Sequence, residues 1–306
     1  MTELDMAELA FNGFVGQWTE GTTDGRRAPL LRRPSELGLA YEDVTFPSMD
    51  GVPLEGWFIP AEGSDRLIIH NHFSPGNRYG YPGHLPGWDR FGGFEVNFLP
   101  TYKGLHDAGY NVLTYDLRNH GMSGYGNGGI CTIGLTEYRD VIGSLRYVKT
   151  RPDTVSMKKA LLSVCLGGNS TAVAWAKHPE EFDEIQAMVL HQPLEGKSIG
   201  EQFSKGIGFE GGYDRLDQAV LERTGFHLAE QSPAKYASAI TVPTLVGQVH
   251  DDVMTTPEAV QAVHDAIPVE DKEMHWIYGT SRRFDGYNYF SEHPEVAVAW
   301  FDEHVR

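Results

Sequence analysis

Residues 161–170 read Leu-Leu-Ser-Val-Cys-Leu-Gly-Gly-Asn-Ser, and they decide the fold. An apolar run that begins at Ala160 leads into this stretch, and a helix-like segment continues to about Lys177. The pattern predicts a strand, a sharp turn and a helix, with Cys165 at the tip of the turn. So tight a turn needs small residues two positions before and after its tip, and Ser163 and Gly167 stand there. Because a free cysteine also packs as a small apolar residue, a buried Cys165 that only ends a core strand remains an alternative.

The composition limits the classes of partner and compartment. The chain has 306 residues, which fits one large α/β domain with an insertion or two small domains. Its formal net charge of −17 argues against nucleic acid or an anionic membrane as a partner. With only Cys131 and Cys165, no disulfide framework is expected, and reduced thiols predict a cytoplasmic protein. The acidic N-terminus lacks the apolar segment of a signal peptide, and no apolar run approaches the ~20 residues that span a bilayer.

Strand and helix patterns alternate along most of the chain. Alternating apolar residues at 41–46 and 54–59 flank Asp50-Gly51 and predict a hairpin. A third strand is predicted at 66–72, followed by a long loop at 73–94 that is rich in glycine, proline and aromatic residues. Later strands are predicted at 111–116, 160–164, 185–191, 242–247 and 273–278, with helices at 98–108, 136–150, 257–266 and 294–305. Strands separated by helices imply a mostly parallel sheet with helices on its faces.

Two segments interrupt this alternation. Residues 1–40 are predicted to form an N-terminal extension with a short helix near 6–15, which serves as a lid or an oligomer contact. Residues 193–232 mix aromatic residues with glycines and charges, and they are predicted to form a small helical cap over the carboxyl edge of the sheet. An ordinary surface excursion is the alternative for this segment. The core of the domain then comprises residues 41–192 and 233–306.

Four sequence landmarks, taken in order, resemble the α/β-hydrolase superfamily. They are HNHFSPG at 70–76, YDLRNHGMSG at 115–124, SVCLGG at 163–168 and SPAKYASAITVPTLVGQVHDD at 232–252. Together they cover about residues 40–306. The resemblance implies the α/β-hydrolase fold, which is a mostly parallel central sheet flanked by helices, here with a small helical cap. A cysteine at the elbow is similar to dienelactone hydrolases, which use a Cys-His-Asp triad.

The resemblance implies a role for each matching position. Cys165 takes the place of the nucleophile, at a helix N-terminus that favours the thiolate. The N–H groups of Leu166 and His72 are the implied oxyanion donors. His70, Phe73 and Tyr287 are predicted to contact substrate, although His70 has a structural, hydrogen-bonded role as its alternative.

The acid of the triad is expected in the turn after residues 242–247. Aligning Val253 with the family pattern selects Asp251. Asp252 is the alternative, because this loop is one residue longer than usual.

The expected catalytic histidine is missing. Counted from Gly279, its place falls on Arg282, and no histidine stands between His275 and His293. Arginine stays protonated near neutral pH, so it cannot act as a general base. Arg282 is therefore predicted either to pair with Asp251 or to lie near Cys165, where it would hold the thiolate or an anionic group. The groups left to activate water are His72, His250 and Tyr287.

These features predict an enzyme that uses Cys165 on the carbonyl of an ester, thioester or lactone, by hydrolysis, acyl transfer or cyclisation. No cofactor is expected, and the pair His70-x-His72 is too little for a metal site. Aromatic residues at Trp88, Phe91 and Phe94 predict a partly apolar small-molecule substrate, and a homo-oligomer is compatible with the sequence. One alternative is a non-hydrolytic protein of the same fold that binds a ligand, isomerises it or cleaves a C–C bond. Another is a degenerate scaffold that binds a partner protein.

Overall fold

An eight-stranded sheet forms the centre of the computed structural model, which describes residues 3–23, 26–89, 92–209 and 211–306. The described strands are β1 (Glu42–Pro47), β2 (Pro53–Ile59), β3 (Arg66–Asn71), β4 (Gly80–Tyr81), β5 (Val96–Asn97), β6 (Asn111–Tyr115), β7 (Lys158–Val164), β8 (Ile185–His191), β9 (Thr244–Val249) and β10 (Lys272–Ile277). β4 and β5 pair with each other in a separate two-stranded sheet, and the other eight form the large sheet. Their order across the large sheet is β1-β2-β6-β3-β7-β8-β9-β10.

Only the first two strand pairings of the large sheet are antiparallel, so β2 alone runs against the other seven strands. β1 pairs with β2 across the predicted hairpin, where Gly51 has a φ of 88° that suits glycine, and β2 then pairs antiparallel with β6. The pairs from β6 through β3, β7, β8 and β9 to β10 are parallel. β6 and β9 are buried at every position, as expected for parallel strands covered by helices on both faces. The predicted mostly parallel sheet is confirmed.

Helices flank this sheet. They are α1 (Glu3–Thr23), α2 (Leu99–Asp107), α3 (Tyr138–Thr150), α4 (Leu166–Lys177), α5 (Gly196–Gly206), α6 (Gly212–Thr224), α7 (Pro257–Ala266), α8 (Arg283–Glu292) and α9 (Pro294–His304). Between the predicted strand at 273–278 and the predicted helix at 294–305, where no element was predicted, lies the ten-residue helix α8. Within the described ranges, no helix is both long and apolar enough to cross a membrane.

The N-terminal helix packs on the segment that was predicted to form a cap. In α1, the ring of Phe11 stacks on Phe209 at 4.9 Å between centroids, and Phe14 stacks on Phe203 at 3.8 Å. These rings join a small apolar cluster, separate from the core around the sheet, that also contains Leu216, Val220 and Leu228. Helix α1 is longer than the predicted helix at 6–15. The division of the chain into extension, core and cap insertion stays a prediction.

Candidate active site

Cys165 lies at the tip of the turn between β7 and α4. Its φ is 50° and its ψ is −109°, a strained conformation for a residue other than glycine. Hydrogen bonds from neighbouring strands hold it there: the Cys165 N–H donates to the His191 carbonyl at 2.8 Å, and the Gly167 N–H donates to the His72 carbonyl at 3.0 Å. A Cβ at Gly167 would collide with the backbone of Asn71. This contact explains why the turn needs a small residue two positions after its tip.

The side chain that meets the sulfur is Tyr287 of α8. Its hydroxyl is hydrogen-bonded to the Cys165 sulfur, and its ring stacks on Phe73 with the centroids 4.1 Å apart. Burial raises the pKa of Tyr287 well above its ordinary value, and the hydrogen bond to Cys165 adds to this shift, against the opposing charge of Arg283. Tyr287 is therefore a neutral phenol at neutral pH, and it donates its proton to the sulfur.

Arg283 supports this phenol from one helical turn away. Its Nε donates to the Tyr287 hydroxyl oxygen at 2.7 Å, and its Nη1 donates to Oδ2 of Asp252 at 2.7 Å and to Thr255 Oγ1 at 3.1 Å. Its Nη2 donates to the carbonyls of Gln192 and Pro193. Burial alone would lower the pKa of Arg283, but attraction to Tyr287, Asp252 and Cys165 raises it above its ordinary value. The guanidinium is therefore a permanent cation with a partner for each of its five N–H groups.

Asp252 closes the arrangement on the side of β9. Its buried carboxylate accepts hydrogen bonds from Gln248 Nε2 at 2.9 Å, from the Thr255 hydroxyl at 2.6 Å and from the Met254 N–H at 2.9 Å, in addition to Arg283. A continuous chain thus runs from carboxylate to guanidinium to phenol to thiol. We call Asp252, Arg283, Tyr287 and Cys165 the buried tetrad.

The predicted pair of Arg282 and Asp251 is wrong. The Arg282 side chain is 60% exposed, pairs with Asp285 at 2.9 Å and lies over the ring of Phe94. The Asp251 side chain is 68% exposed and pairs with Nδ1 of His250 at 2.8 Å. Arg282 precedes the first residue of α8 as its N-cap, which leaves its side chain outside, and the next residue faces the interior. The alternative acid, Asp252, is the carboxylate that meets an arginine, and that arginine is Arg283.

His72 has no nitrogen available to the site. Its Nδ1 lies 2.7 Å from the carbonyl of Phe73, and its Nε2 accepts the Leu117 N–H at 2.9 Å. Nδ1 therefore carries the proton, and burial, with a smaller effect of His120, lowers the pKa of the ring well below its ordinary value. The prediction of a catalytic His72 imidazole is wrong, because neither nitrogen can exchange a proton with substrate. The role of the His72 N–H as an oxyanion donor stays a prediction.

His70 fits the structural alternative. Its Nδ1 lies 2.9 Å from the Tyr102 hydroxyl and 3.1 Å from the Thr114 hydroxyl, and its ring packs edge-on against Phe98. Burial, with a smaller effect of His191, lowers its pKa to about 3. His70 therefore faces α2 and the interior, and its contact with substrate stays a prediction.

The other residues predicted to contact substrate lie in different parts of the structure. Phe73 lies against Tyr287 and so supports the buried tetrad, while contact of either ring with substrate stays a prediction. In the long loop, the guanidinium of Arg26 lies over Trp88, 4.0 Å from the ring centroid, and Phe94 lies under Arg282. Phe91 is outside the described residues.

Sequence reasoning missed Arg283 altogether. One signal was present, since Arg283 and Tyr287 are four residues apart and therefore share one face of a helix. That signal has meaning only once residues 283–292 are known to be helical.

Comparison with known proteins gives the fold but no close relative. No family model matches the chain. The protein named YfhR of Salmonella typhimurium is 29% identical over 181 residues, which are 55% of this chain and 54% of YfhR. YfhR of Escherichia coli K12 is 27% identical over 174 residues. The match therefore spans about half the length of these curated relatives.

Solved structures match nearly the whole chain. An esterase of Pyrococcus furiosus superposes with a TM-score of 0.67 at 20% identity and covers 92% of this chain and 97% of its own. The α/β hydrolase GrgF of a Penicillium species superposes with a TM-score of 0.60 at 18% identity, over 87% of this chain and 99% of its own. This protein has the α/β-hydrolase fold. A dienelactone hydrolase of Anabaena variabilis agrees, with a TM-score of 0.53 at 18% identity over 88% of this chain and 99% of its own.

In this α/β-hydrolase fold, the turn at Cys165 stands where the resemblance placed the nucleophile elbow. Asp252 follows β9, where the resemblance placed the acid. After β10, where it placed a histidine, α8 brings Arg283 and Tyr287 instead.

Proposed function

We propose that this protein is a cysteine-dependent acyl hydrolase or acyltransferase that acts on an ester, thioester or lactone carbonyl of a small molecule. The buried tetrad is the observation that carries the proposal, because it places a neutral hydrogen-bond donor, itself held by a fixed cation, against a thiol on a strained elbow. The names of two structural neighbours, an esterase and a dienelactone hydrolase, support acyl chemistry on this fold.

Each residue has a distinct part in the proposed reaction. The Cys165 sulfur, at the N-terminus of α4, attacks the carbonyl carbon as a thiolate. The Tyr287 hydroxyl stabilises the thiolate by its hydrogen bond, and Arg283 holds the phenol in place while Asp252 balances the charge of the guanidinium. The oxyanion that forms accepts hydrogen bonds from the N–H groups of Leu166 and His72. As the first residue of α4, Leu166 has an N–H that lacks an acceptor within its own helix.

Access to the sulfur requires a movement. Cys165 is only 3% exposed, and both ends of the segment at 193–232 are hydrogen-bonded to α4. The Asn169 amide of α4 donates to the Leu194 carbonyl at 2.8 Å and to the Gln231 carbonyl at 3.0 Å. We expect this segment to open when substrate enters.

Labelling of the two cysteines tests the proposal. The wild-type chain, Cys165→Ala and Cys131→Ala are incubated with p-nitrophenyl acetate or iodoacetamide, and the adducts are located by peptide mass spectrometry. Cys131 is a matched control, because it is also a buried free cysteine. We expect an acetyl adduct on Cys165 in the wild type and in Cys131→Ala, with loss of ester turnover in Cys165→Ala. Adducts on Cys131 alone, or wild-type turnover by Cys165→Ala, would contradict the proposal.

The burial of Cys165 favours a second candidate function. In that candidate the fold binds or isomerises a ligand, or cleaves a C–C bond, and Cys165 only packs. The same experiment separates the two, since this candidate expects neither acyl adduct nor loss of activity in Cys165→Ala.

A further inference from the structure

Each of three histidines around the elbow, His191, His120 and His72, has a hydrogen-bond partner other than the Cys165 sulfur. His191 accepts the Cys165 N–H with its carbonyl, and its ring Nε2 lies 2.6 Å from the Gly286 carbonyl. His120 has Nδ1 at 2.9 Å from the Arg118 carbonyl and Nε2 at 3.1 Å from the Ser74 hydroxyl. His72 uses both nitrogens as described above. In the part of the chain that the structure describes, none of these three rings is bonded to the Cys165 sulfur.

Among the described residues, the site therefore has no imidazole at the sulfur of the kind that normally protonates a departing alkoxide or amine. In a triad, the imidazolium takes the proton of the nucleophile and later gives it to the leaving group. Here the group at the sulfur is the Tyr287 phenol, and the cation behind it is already neutralised by Asp252. Loss of the phenol proton would place an uncompensated negative charge in a buried site, which is costly. Burial accordingly raises the pKa of Tyr287, as described above.

We propose that the site accepts acyl donors whose leaving group departs as a stable anion, namely thioesters, enol esters or enol lactones and aryl esters, and that it does not cleave alkyl esters or amides. This inference rests on the proposed function and adds the substrate class. Thiolates, enolates and phenolates leave without a proton near neutral pH, whereas an alkoxide or an amide anion does not.

The covalent steps balance without a proton donor at the leaving group. The thiolate of Cys165 forms a C–S bond to the carbonyl carbon, and the bond to the leaving group breaks with its electron pair on the leaving atom. Water or an acceptor nucleophile then adds to the thioester carbonyl, the C–S bond breaks and the thiolate is regenerated. The proton released by water or the acceptor passes to the solvent.

A series of acetyl donors tests the inference. The donors are S-acetyl-N-acetylcysteamine and p-nitrophenyl, phenyl, trifluoroethyl and ethyl acetate. The reaction is quenched at a series of times, and the rate of acetylation of Cys165 is measured by intact-protein mass spectrometry. For the oxygen esters, we expect the rate to fall by up to about tenfold for each unit of leaving-group pKa, the limit for full charge on the leaving atom. We expect the thioester to react readily and ethyl acetate not to react. Equal rates for phenyl and ethyl acetate would overturn the inference.

The same series on Tyr287→Phe shows whether the phenol acts as an acid. We expect all donors to slow by a similar factor with an unchanged dependence on leaving-group pKa, because the phenol orients the sulfur. A dependence that is steeper in Tyr287→Phe would show that Tyr287 protonates the leaving group, and it would overturn the inference. Absence of acetylation with every donor would instead refute the proposed function, so the two failures are distinguishable.

Discussion

The replacement of Asp252 by asparagine tests whether the buried ion pair holds the candidate site together. The carboxylate is buried and lies 2.7 Å from the guanidinium of Arg283, which is only 2% exposed. Asp252→Asn keeps the size of the side chain and removes its charge. Arg283 would then keep its charge in the interior with only neutral partners, which are carbonyl and hydroxyl oxygens.

The expected loss of unfolding free energy is large for a substitution that replaces one oxygen by an NH₂ group. Removal of one partner from a buried ion pair costs about 3–5 kcal/mol of unfolding free energy, because the other charge stays buried and uncompensated. Asparagine also turns an NH₂ group toward donors, either toward the Met254 N–H or toward Arg283, Thr255 and Gln248. A buried donor left without an acceptor costs about 1–3 kcal/mol, a term that overlaps with the first. We therefore expect Asp252→Asn to lower the free energy of unfolding by about 3–5 kcal/mol.

The assay is urea unfolding followed by both circular dichroism and tryptophan fluorescence, with Asp251→Asn as the matched control. Asp251 is the adjacent residue, carries the same charge and has a side chain that is 68% exposed. Its replacement should change stability by no more than about 0.5 kcal/mol. The reasoning is refuted if Asp251→Asn costs as much as Asp252→Asn, or if Asp252→Asn costs less than about 1 kcal/mol.

Three further predictions concern other parts of the chain. Arg283→Met should lower the free energy of unfolding by about 3–5 kcal/mol and slow the acetylation of Cys165. Arg282→Met, which removes an exposed ion pair, should lower it by at most about 1 kcal/mol. Equal urea midpoints for the two variants would contradict this prediction. The pKa of His70 is about 3 in the folded chain and ordinarily about 6.5, so the unfolded chain binds more protons between these values, and stability is lost as the pH falls below about 6.5. At pH 5 this loss is about 2 kcal/mol, and His70→Gln should reduce the difference in unfolding free energy between pH 7.5 and pH 5 by that amount. Gly167→Ala should destabilise the fold by about 1–3 kcal/mol because its Cβ meets backbone of the neighbouring strand, whereas Gly13→Ala, in open space on α1, should stabilise it by about 0.5–1 kcal/mol; thermal unfolding of the two variants checks the opposite signs.

The elbow and the sheet were predictable because local constraints specify them. The turn at Cys165 needs a small residue at position 167, because a Cβ there would collide with the backbone of Asn71. The small residues at 163 and 167 therefore predict the turn. The parallel strands are buried on both faces, and short apolar runs therefore mark them clearly. The order of these elements predicted a mostly parallel sheet, and the resemblance of four sequence landmarks to α/β-hydrolases predicted the particular fold.

The predicted ion pair of Asp251 and Arg282 was placed one residue too early for a different reason. Asp251 and Asp252 are chemically identical neighbours, as are Arg282 and Arg283, so the sequence does not distinguish which member faces inward. The choice depends on where α8 begins, since its first residue, Arg283, is buried and its N-cap is exposed. The helix itself was missed because its buried face carries an arginine and a glycine beside its aromatic residues, which hides the usual apolar spacing.

The protonation behaviour of His72 also could not be predicted from the sequence. The sequence correctly placed His72 beside the elbow. The tautomer of its ring, and whether either nitrogen is free to exchange a proton, depend on two backbone groups, the carbonyl of Phe73 and the N–H of Leu117. Both belong to loops whose course is fixed only by the assembled sheet. A residue type in a sequence therefore indicates a possible proton carrier, and its hydrogen bonds decide whether it is one.

The exchange of an imidazole for an arginine and a tyrosine changes what the site can do. An imidazole has two nitrogens and moves a proton between two partners, whereas the guanidinium of Arg283 makes five hydrogen bonds that join the turn after β9, residues 192–193 and the phenol of Tyr287. Such a group fixes geometry and charge but does not release a proton near neutral pH. A thiol tolerates this exchange better than a hydroxyl would, because thiols ionise near pH 8.5 and need no strong base to become nucleophilic. Under the proposed function, the cysteine at position 165 and the missing histidine belong together, because a thiol held by a fixed phenol and a fixed cation does not need an imidazole to become nucleophilic.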